Sequence, residues 1–178
     1  PVAFWGALRA GVVPVPANTL LTAEQVAYML EDSRAEAVVV SAPLLAALAP
    51  AIAASPWLRL VLVAAPDGEP APALPPGAQE LRNFLAEAPV AETVAASPDE
   101  VAFWLYSSGS TVAPKGTKHV HASLRATAET YAAQVLGIRP DDVVYSAAKL
   151  FFAYGLGNAM TFPLAAFIDL STINTSPL

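Results

Sequence analysis

The chain has 178 residues, a formal net charge of −6, 55% hydrophobic and only 13% charged residues. That charge balance argues against nucleic acid as a partner, because phosphate neutralisation needs clustered lysine and arginine. With no cysteine there is no disulfide or thiolate metal site, and two histidines without neighbouring carboxylates make no zinc site. The length suits one domain with a sizeable core.

In chain order, residues 2–10 read as the end of a helix stopped by Gly11. The chain starts at Pro1 rather than methionine, inside this helix, and reads as a fragment. No signal-peptide pattern opens it. A short strand is expected over 12–15. Thr22 and Gln25 have capping-box spacing, with Val26, Met29 and Leu30 on one face of the helix that follows. Met29 reads as core. A strand over 37–40, an alanine-rich helix over 44–53 and a strand over 58–63 complete a β-α-β alternation, which implies a parallel sheet with flanking helices.

Residues 37–58 and 150–168 are uncharged. Pro43, Pro50 and Pro56 interrupt the first, and Gly155, Gly157, Asn158 and Pro163 the second, so neither reads as a membrane span. Five prolines and the Asp67-Gly68 dipeptide mark a surface loop at about 64–79. A short helix is expected over 80–86, and one turn at most from Ser97. Residues 101–106 are an unbroken apolar run, expected to be a parallel strand covered on both faces. A helix over 122–136, ended by Gly137, places Leu124, Ala128, Tyr131 and Val135 on one face. A strand over 143–146 and a helix over 157–166 follow.

Two stretches carry chemistry. The first is Tyr106-Ser107-Ser108-Gly109-Ser110-Thr111-Val112-Ala113-Pro114-Lys115-Gly116. Glycines admit close approach to a ligand, turn amides form a concavity for anions, hydroxyls add donors and Lys115 adds charge. This suits a polyphosphate, although the order Lys115-Gly116-Thr117 is not that of a Walker A loop. An ordinary surface loop has the same composition, so both readings stay open on composition alone. Charge favours the anion site: no Asp or Glu falls between Glu100 and Glu129, while Lys115, Lys118, Arg125, His119 and His121 do. The second stretch, residues 149–158, gathers Phe151, Phe152 and Tyr154 with two glycines. By the residues alone it fits ordinary packing or a flat apolar slot, with small residues at Ala153 and Gly155 leaving room for a planar ring.

The first stretch resembles the phosphate-binding signature of the acyl-adenylate-forming (ANL) superfamily, roughly Ser-Gly-Ser/Thr-Thr-Gly-x-Pro-Lys-Gly. Phe103-Trp104-Leu105-Tyr106 before it, His119-Val120-His121 after it, Ser146 through Asn158, and Arg9 through Asn18 are similar to benzoate–CoA ligases in particular. Val112 stands where that family usually carries glycine. The resemblance implies an α/β fold, mostly parallel, belonging to the large N-terminal domain of an adenylating enzyme. It covers 1–166, with 167–178 as a tail outside it. It implies ATP, Mg2+ and coenzyme A as cofactors, and an aromatic carboxylate as the substrate partner. It assigns Ser107, Ser108, Gly109, Ser110, Thr111, Lys115 and Gly116 to the phosphates, with Thr111 near the Mg2+. Phe152, Ala153, Tyr154 and Gly155 are assigned to the acyl group. The family's catalytic lysine matches no residue here. ATP and coenzyme A imply the cytoplasm. A non-catalytic polyphosphate-binding module and an inert truncated domain are the alternatives.

Overall fold

The computed structural model describes residues 1–66, 73–107 and 114–166, and the backbone of 174–175. The chain divides into two compact units, described in turn. Among the described residues no helix is long and apolar enough to cross a membrane.

One unit is built from Thr19–Ala91. Helix α2 (Ala23–Ser33) opens with the expected capping box: Thr22 Oγ1 accepts from the Gln25 amide, and Gln25 Oε1 accepts from the Thr22 amide. Met29 and Leu30 are buried, as their spacing predicts. Strand β1 (Ala37–Ser41), helix α3 (Ala42–Ala54) and strand β2 (Leu60–Ala64) form the β-α-β unit, and β1 and β2 pair in parallel from Ala37 opposite Leu60 to Ser41 opposite Ala64. Strand β3 (Ala78–Glu80) extends the sheet in parallel, with order β1-β2-β3, and runs into helix α4 (Leu81–Glu87). Val40, Leu62 and Val63 are buried strand residues of this sheet, as is Glu80 at the end of β3. Helix α3 starts before the expected boundary and runs through Pro50. Pro43 costs it little, because a first-turn proline removes an amide that has no intrahelical partner.

The other unit contains Pro1–Asn18, Glu92–Ser107 and the chain from Lys115 onward. Helix α1 (Val2–Arg9) ends at Gly11, whose φ of +71° is the left-handed stop expected of it. Residues 12–15 are not a strand, contrary to the sequence expectation. Pro14 and Pro16 have no amide to offer a ladder, although the Pro14 carbonyl accepts from the Trp104 amide at 3.1 Å.

Strand β4 (Val101–Ser107) also corrects its expectation. It pairs antiparallel with β5 (Lys115–Val120), in a two-stranded sheet separate from β1-β2-β3. Helix α5 (His121–Thr127) continues as a π-wound segment over Ala128–Leu136 and stops at Gly137, φ +64°. The wider winding changes which side chains face inward. Ala128 and Ala132 are buried, while Val135, which a 3.6-residue period places beside Ala128, is exposed. Strand β6 is only Tyr145–Ser146 and pairs in parallel with β7 (Asn174–Thr175). The last helical stretch begins at Ala153, earlier than expected: α6 (Ala153–Leu156), a π-wound turn over Gly157–Thr161, and α7 (Phe162–Ala165).

Candidate functional site

Strands β4 and β5 set the mouth of the hydroxyl-rich loop. Their last ladder pair places Ser107 directly opposite Lys115. The chain therefore leaves at Ser107 and returns at Lys115 side by side. Both residues are exposed. Ser108, Gly109, Ser110, Thr111, Val112 and Ala113 lie outside the described residues.

The hairpin has two chemically different faces. Inward, Phe103 and Leu105 are buried, and Phe103 stacks flat on His119 with centroids 4.7 Å apart and planes 4° from parallel. Outward, the Lys118 ammonium lies 5.3 Å from the centre of the Trp104 ring, a cation–π distance. The basic island of the sequence is thus divided by role. Lys118 rests on an aromatic ring. Arg125 pairs with Glu129 one turn along its helix, at high exposure where such a pair contributes little. His121 opens α5, its amide donating to the Glu100 carbonyl. Lys115 stands exposed at the loop mouth.

Burial against Phe103 holds the pKa of His119 below the ordinary histidine value. The unfolded chain then binds the proton more readily than the folded one. Stability is expected to fall as the pH drops below about 6.5, and the loss should level off once the folded-state pKa is passed. Comparing melting temperatures of wild type and His119→Phe from pH 8 to pH 5 isolates this effect. The variant should lose less on acidification, and parallel curves would refute the assignment.

The aromatic stretch is arranged differently from a closed slot. Phe152 caps the start of α6, and Phe152 and Tyr154 are 51% and 68% exposed. The rings of Phe151 and Phe152 lie 4.5 Å apart. Ala153 is exposed as well. Gly155 is buried, and the space a side chain would take there is filled by main chain. A Cβ would overlap the Lys149 carbonyl oxygen and lie 2.8 Å from that of Ala148. The absent side chain at Gly155 serves close backbone packing rather than room for a ring. Gly157 is similar, since a Cβ there would fall 2.9 Å from Phe162 Cζ.

One hydrophobic cluster ties the two stretches together. Phe103 and Leu105 of β4, Phe4 of α1, Leu156 of α6 and Met160 are buried against one another, with Leu124 and Leu150 packed at the margin. Leu105 lies two residues before Ser107, and Leu150 and Leu156 bracket the aromatic stretch. The loop mouth and the exposed rings therefore stand on the same core.

The family model described as AMP-binding enzyme matches residues 1–170, and the chain belongs to that family. It is 50% identical to the benzoate–CoA ligase of Thauera aromatica over 167 residues, which is 93% of this chain and 30% of that protein. It is similar in structure to a benzoate CoA ligase from Burkholderia xenovorans LB400, with TM-score 0.78 and 46% identity over 94% of this chain and 31% of that one. An anthranilate CoA ligase in complex with anthranoyl-AMP superposes with TM-score 0.86 at 29% identity, again over 94% of this chain and 31% of that one. The chain spans about a third of the length of the relatives it matches.

Trp104, Tyr106, Leu150 and Leu156 matter to this arrangement; the sequence places them within or beside the two stretches and assigns them no site role. A hairpin reading would have revealed the first two, because positions equally distant from Thr111 face each other across the ladder.

Proposed function

We propose that the chain is the part of an aryl acid–CoA ligase that holds the ATP phosphates and one wall of the acyl site. The observation that carries this is the shared core: Leu105 before the loop and Leu156 after the aromatic stretch belong to one buried cluster. That core keeps a phosphate-binding mouth and an aromatic surface in fixed register. The names of the relatives support an aromatic acid as substrate, benzoate first.

In the proposed reaction a carboxylate oxygen attacks the α-phosphorus of ATP. The new bond is acyl C–O–P, the bond to the β-phosphate oxygen breaks, and pyrophosphate leaves with the electron pair. The thiolate of coenzyme A then attacks the acyl carbon and displaces AMP. Lys115 and Ser107, with Ser108, Gly109, Ser110 and Thr111, meet the charge that grows on the departing pyrophosphate. A Mg2+ ion near Thr111 would neutralise phosphate oxygens. Phe152, Ala153 and Tyr154 hold the ring, so that attack becomes effectively unimolecular. Gly155 and Gly116 act through close backbone approach. We read residues 1–166 as the working part of the family's portion, inside the 1–170 that its model matches, and the residues after 170 as a tail. ATP and coenzyme A as co-substrates support a cytoplasmic location.

A second reading draws on the exposure of Phe152 and Tyr154. With these rings open to solvent, the chain by itself binds polyphosphate without enclosing an acid. Two measurements on the chain separate the readings. MgATP a hundredfold above its Kd should raise the melting temperature by roughly 5–10 °C. Benzoate-dependent ATP–pyrophosphate exchange then decides whether this segment also adenylates. No thermal shift with MgATP would reject the phosphate site in both readings.

A further inference from the structure

The outward face of the hairpin holds two rings, Trp104 and Tyr106, that neither the phosphate contacts nor the acyl wall uses. Tyr106 stands opposite Gly116 in the ladder, and Trp104 opposite Lys118. Gly116 has no side chain, and the two rings close over its place. A Cβ there would lie 3.2 Å from Tyr106 Cζ and 3.3 Å from Trp104 Cε3. Glycine in a strand ordinarily weakens it, since it contributes no packing and loses more entropy on ordering. A ring laid across the facing glycine restores the missing contact. Lys118 then covers the other side of the pair by its position over Trp104. The next ladder pair beyond Tyr106 and Gly116 is Ser107 and Lys115, where the loop departs and returns.

We propose that Tyr106, closed over Gly116 and braced by Trp104 and Lys118, is a positioning clamp that fixes the spacing and direction of Ser107 and Lys115 toward a phosphate ligand; this rests on the phosphate reading above. The physical need is specific. A two-stranded ribbon is marginal by itself, and its last rung is held only by the rungs behind it. Lys115 sits in that last rung, at the loop end, with an exposed side chain. If the Tyr106–Gly116 rung loosens, the ammonium samples a larger volume and the ordering cost moves to the binding step. Lys118 does not take its place, being engaged on Trp104 two rungs back from Tyr106 and Gly116. The glycine is required for contact rather than for torsional freedom, because its φ is not among the positive ones.

The test is titration calorimetry of this chain with magnesium pyrophosphate, alongside melting curves without ligand. Tyr106→Leu and Gly116→Ala should each weaken binding at least about tenfold. Tyr106→Phe keeps the ring and should bind more tightly than Tyr106→Leu. Val63→Ala, buried in the separate parallel sheet, serves as the stability control. It should lower the melting temperature and leave the Kd unchanged. Binding by Tyr106→Leu equal to wild type would overturn the clamp, as would equal weakening by Val63→Ala. A wild-type chain that does not bind magnesium pyrophosphate would remove the phosphate reading, and the clamp with it.

Discussion

Gly155→Ala is expected to lower stability by at least about 3 kcal/mol, a drop of roughly 6–12 °C in melting temperature for a chain of this size. Two effects compete at this position. Gly155 lies inside α6, and alanine is the better helix former by about 0.8–1.0 kcal/mol. Propensity alone therefore predicts stabilisation. Against it stands the main chain of the preceding turn. The added Cβ would overlap the Lys149 carbonyl oxygen, and would sit 2.6 Å from the carbonyl carbon and 2.8 Å from the Ala148 oxygen. These are backbone atoms and cannot rotate aside, so α6 must move. That movement pulls Leu156 out of the cluster it shares with Phe103 and Leu105. Gly6→Ala provides the contrast, because a Cβ at Gly6 of α1 meets nothing within 4 Å. There the propensity term stands alone, and a gain of up to about 1 kcal/mol is expected. Thermal melts followed by circular dichroism decide both. Gly155→Ala melting at or above wild type would mean that α6 does not pack so closely on the 148–149 main chain.

The same residue shows how far sequence could be read. Gly155 was legible as a special position, but its reason was not. A glycine beside aromatics looks like room for a ring, and only the fold reveals a carbonyl already in that space. Local signals fared better. The Thr22–Gln25 box, the stops at Gly11 and Gly137 and the β1-α3-β2 alternation all formed, since each depends on neighbours within a few residues or on a simple period. The hairpin escaped because pairing across a loop leaves no periodic trace. Lys115-Gly116-Thr117-Lys118-His119-Val120 has little strand propensity, and pairing with β4 imposes its extended shape. Residues 101–106 looked covered on both faces, and the cover on the outer face comes from partners that this hairpin itself supplies, Gly116 and Lys118. The π winding after Thr127 turns Val135 off the inward face while Ala132 stays on it with Ala128, and a 3.6-residue template does not report the loss of Val135.

For the candidate site, the residue types were legible and their organisation was not. Lys115 and Ser107 were chosen for charge and hydroxyl chemistry. Their juxtaposition follows from ladder register, a nonlocal property. The cluster that joins Leu105 to Leu156 draws on residues from Phe4 to Met160 and carries no motif, because any large aliphatic side chain satisfies most of its positions. Phe152 and Tyr154 were expected to wall a slot. They lie at the surface with Ala153, and the wall they form is one-sided among the described residues.

Lys115→Ala should separate chemistry from folding more sharply than any other single change. The side chain is exposed at the end of β5, so its removal should alter stability by less than about 0.5 kcal/mol. Its proposed work begins when the bond to the β-phosphate oxygen stretches and charge accumulates on the departing pyrophosphate. Loss of one group that meets developing charge costs about 10²–10³ in rate. A suitable vehicle is the benzoate–CoA ligase of Thauera aromatica carrying residues 1–166 of this chain in place of its own matching segment, given 50% identity over that region. In that chimera, benzoate-dependent ATP–pyrophosphate exchange should fall by about 10²–10³ when Lys115 becomes alanine. The loss should lie in kcat more than in KM for ATP, because the charge is met in the transition state more than in the bound ground state. Lys115→Arg keeps the charge and replaces a compact ammonium with a planar fork, so partial recovery is expected. Unchanged exchange in Lys115→Ala would remove Lys115 from the chemistry. A loss matched by a fall in melting temperature would reassign it to structure, and with it the reading of the hairpin end as a phosphate site.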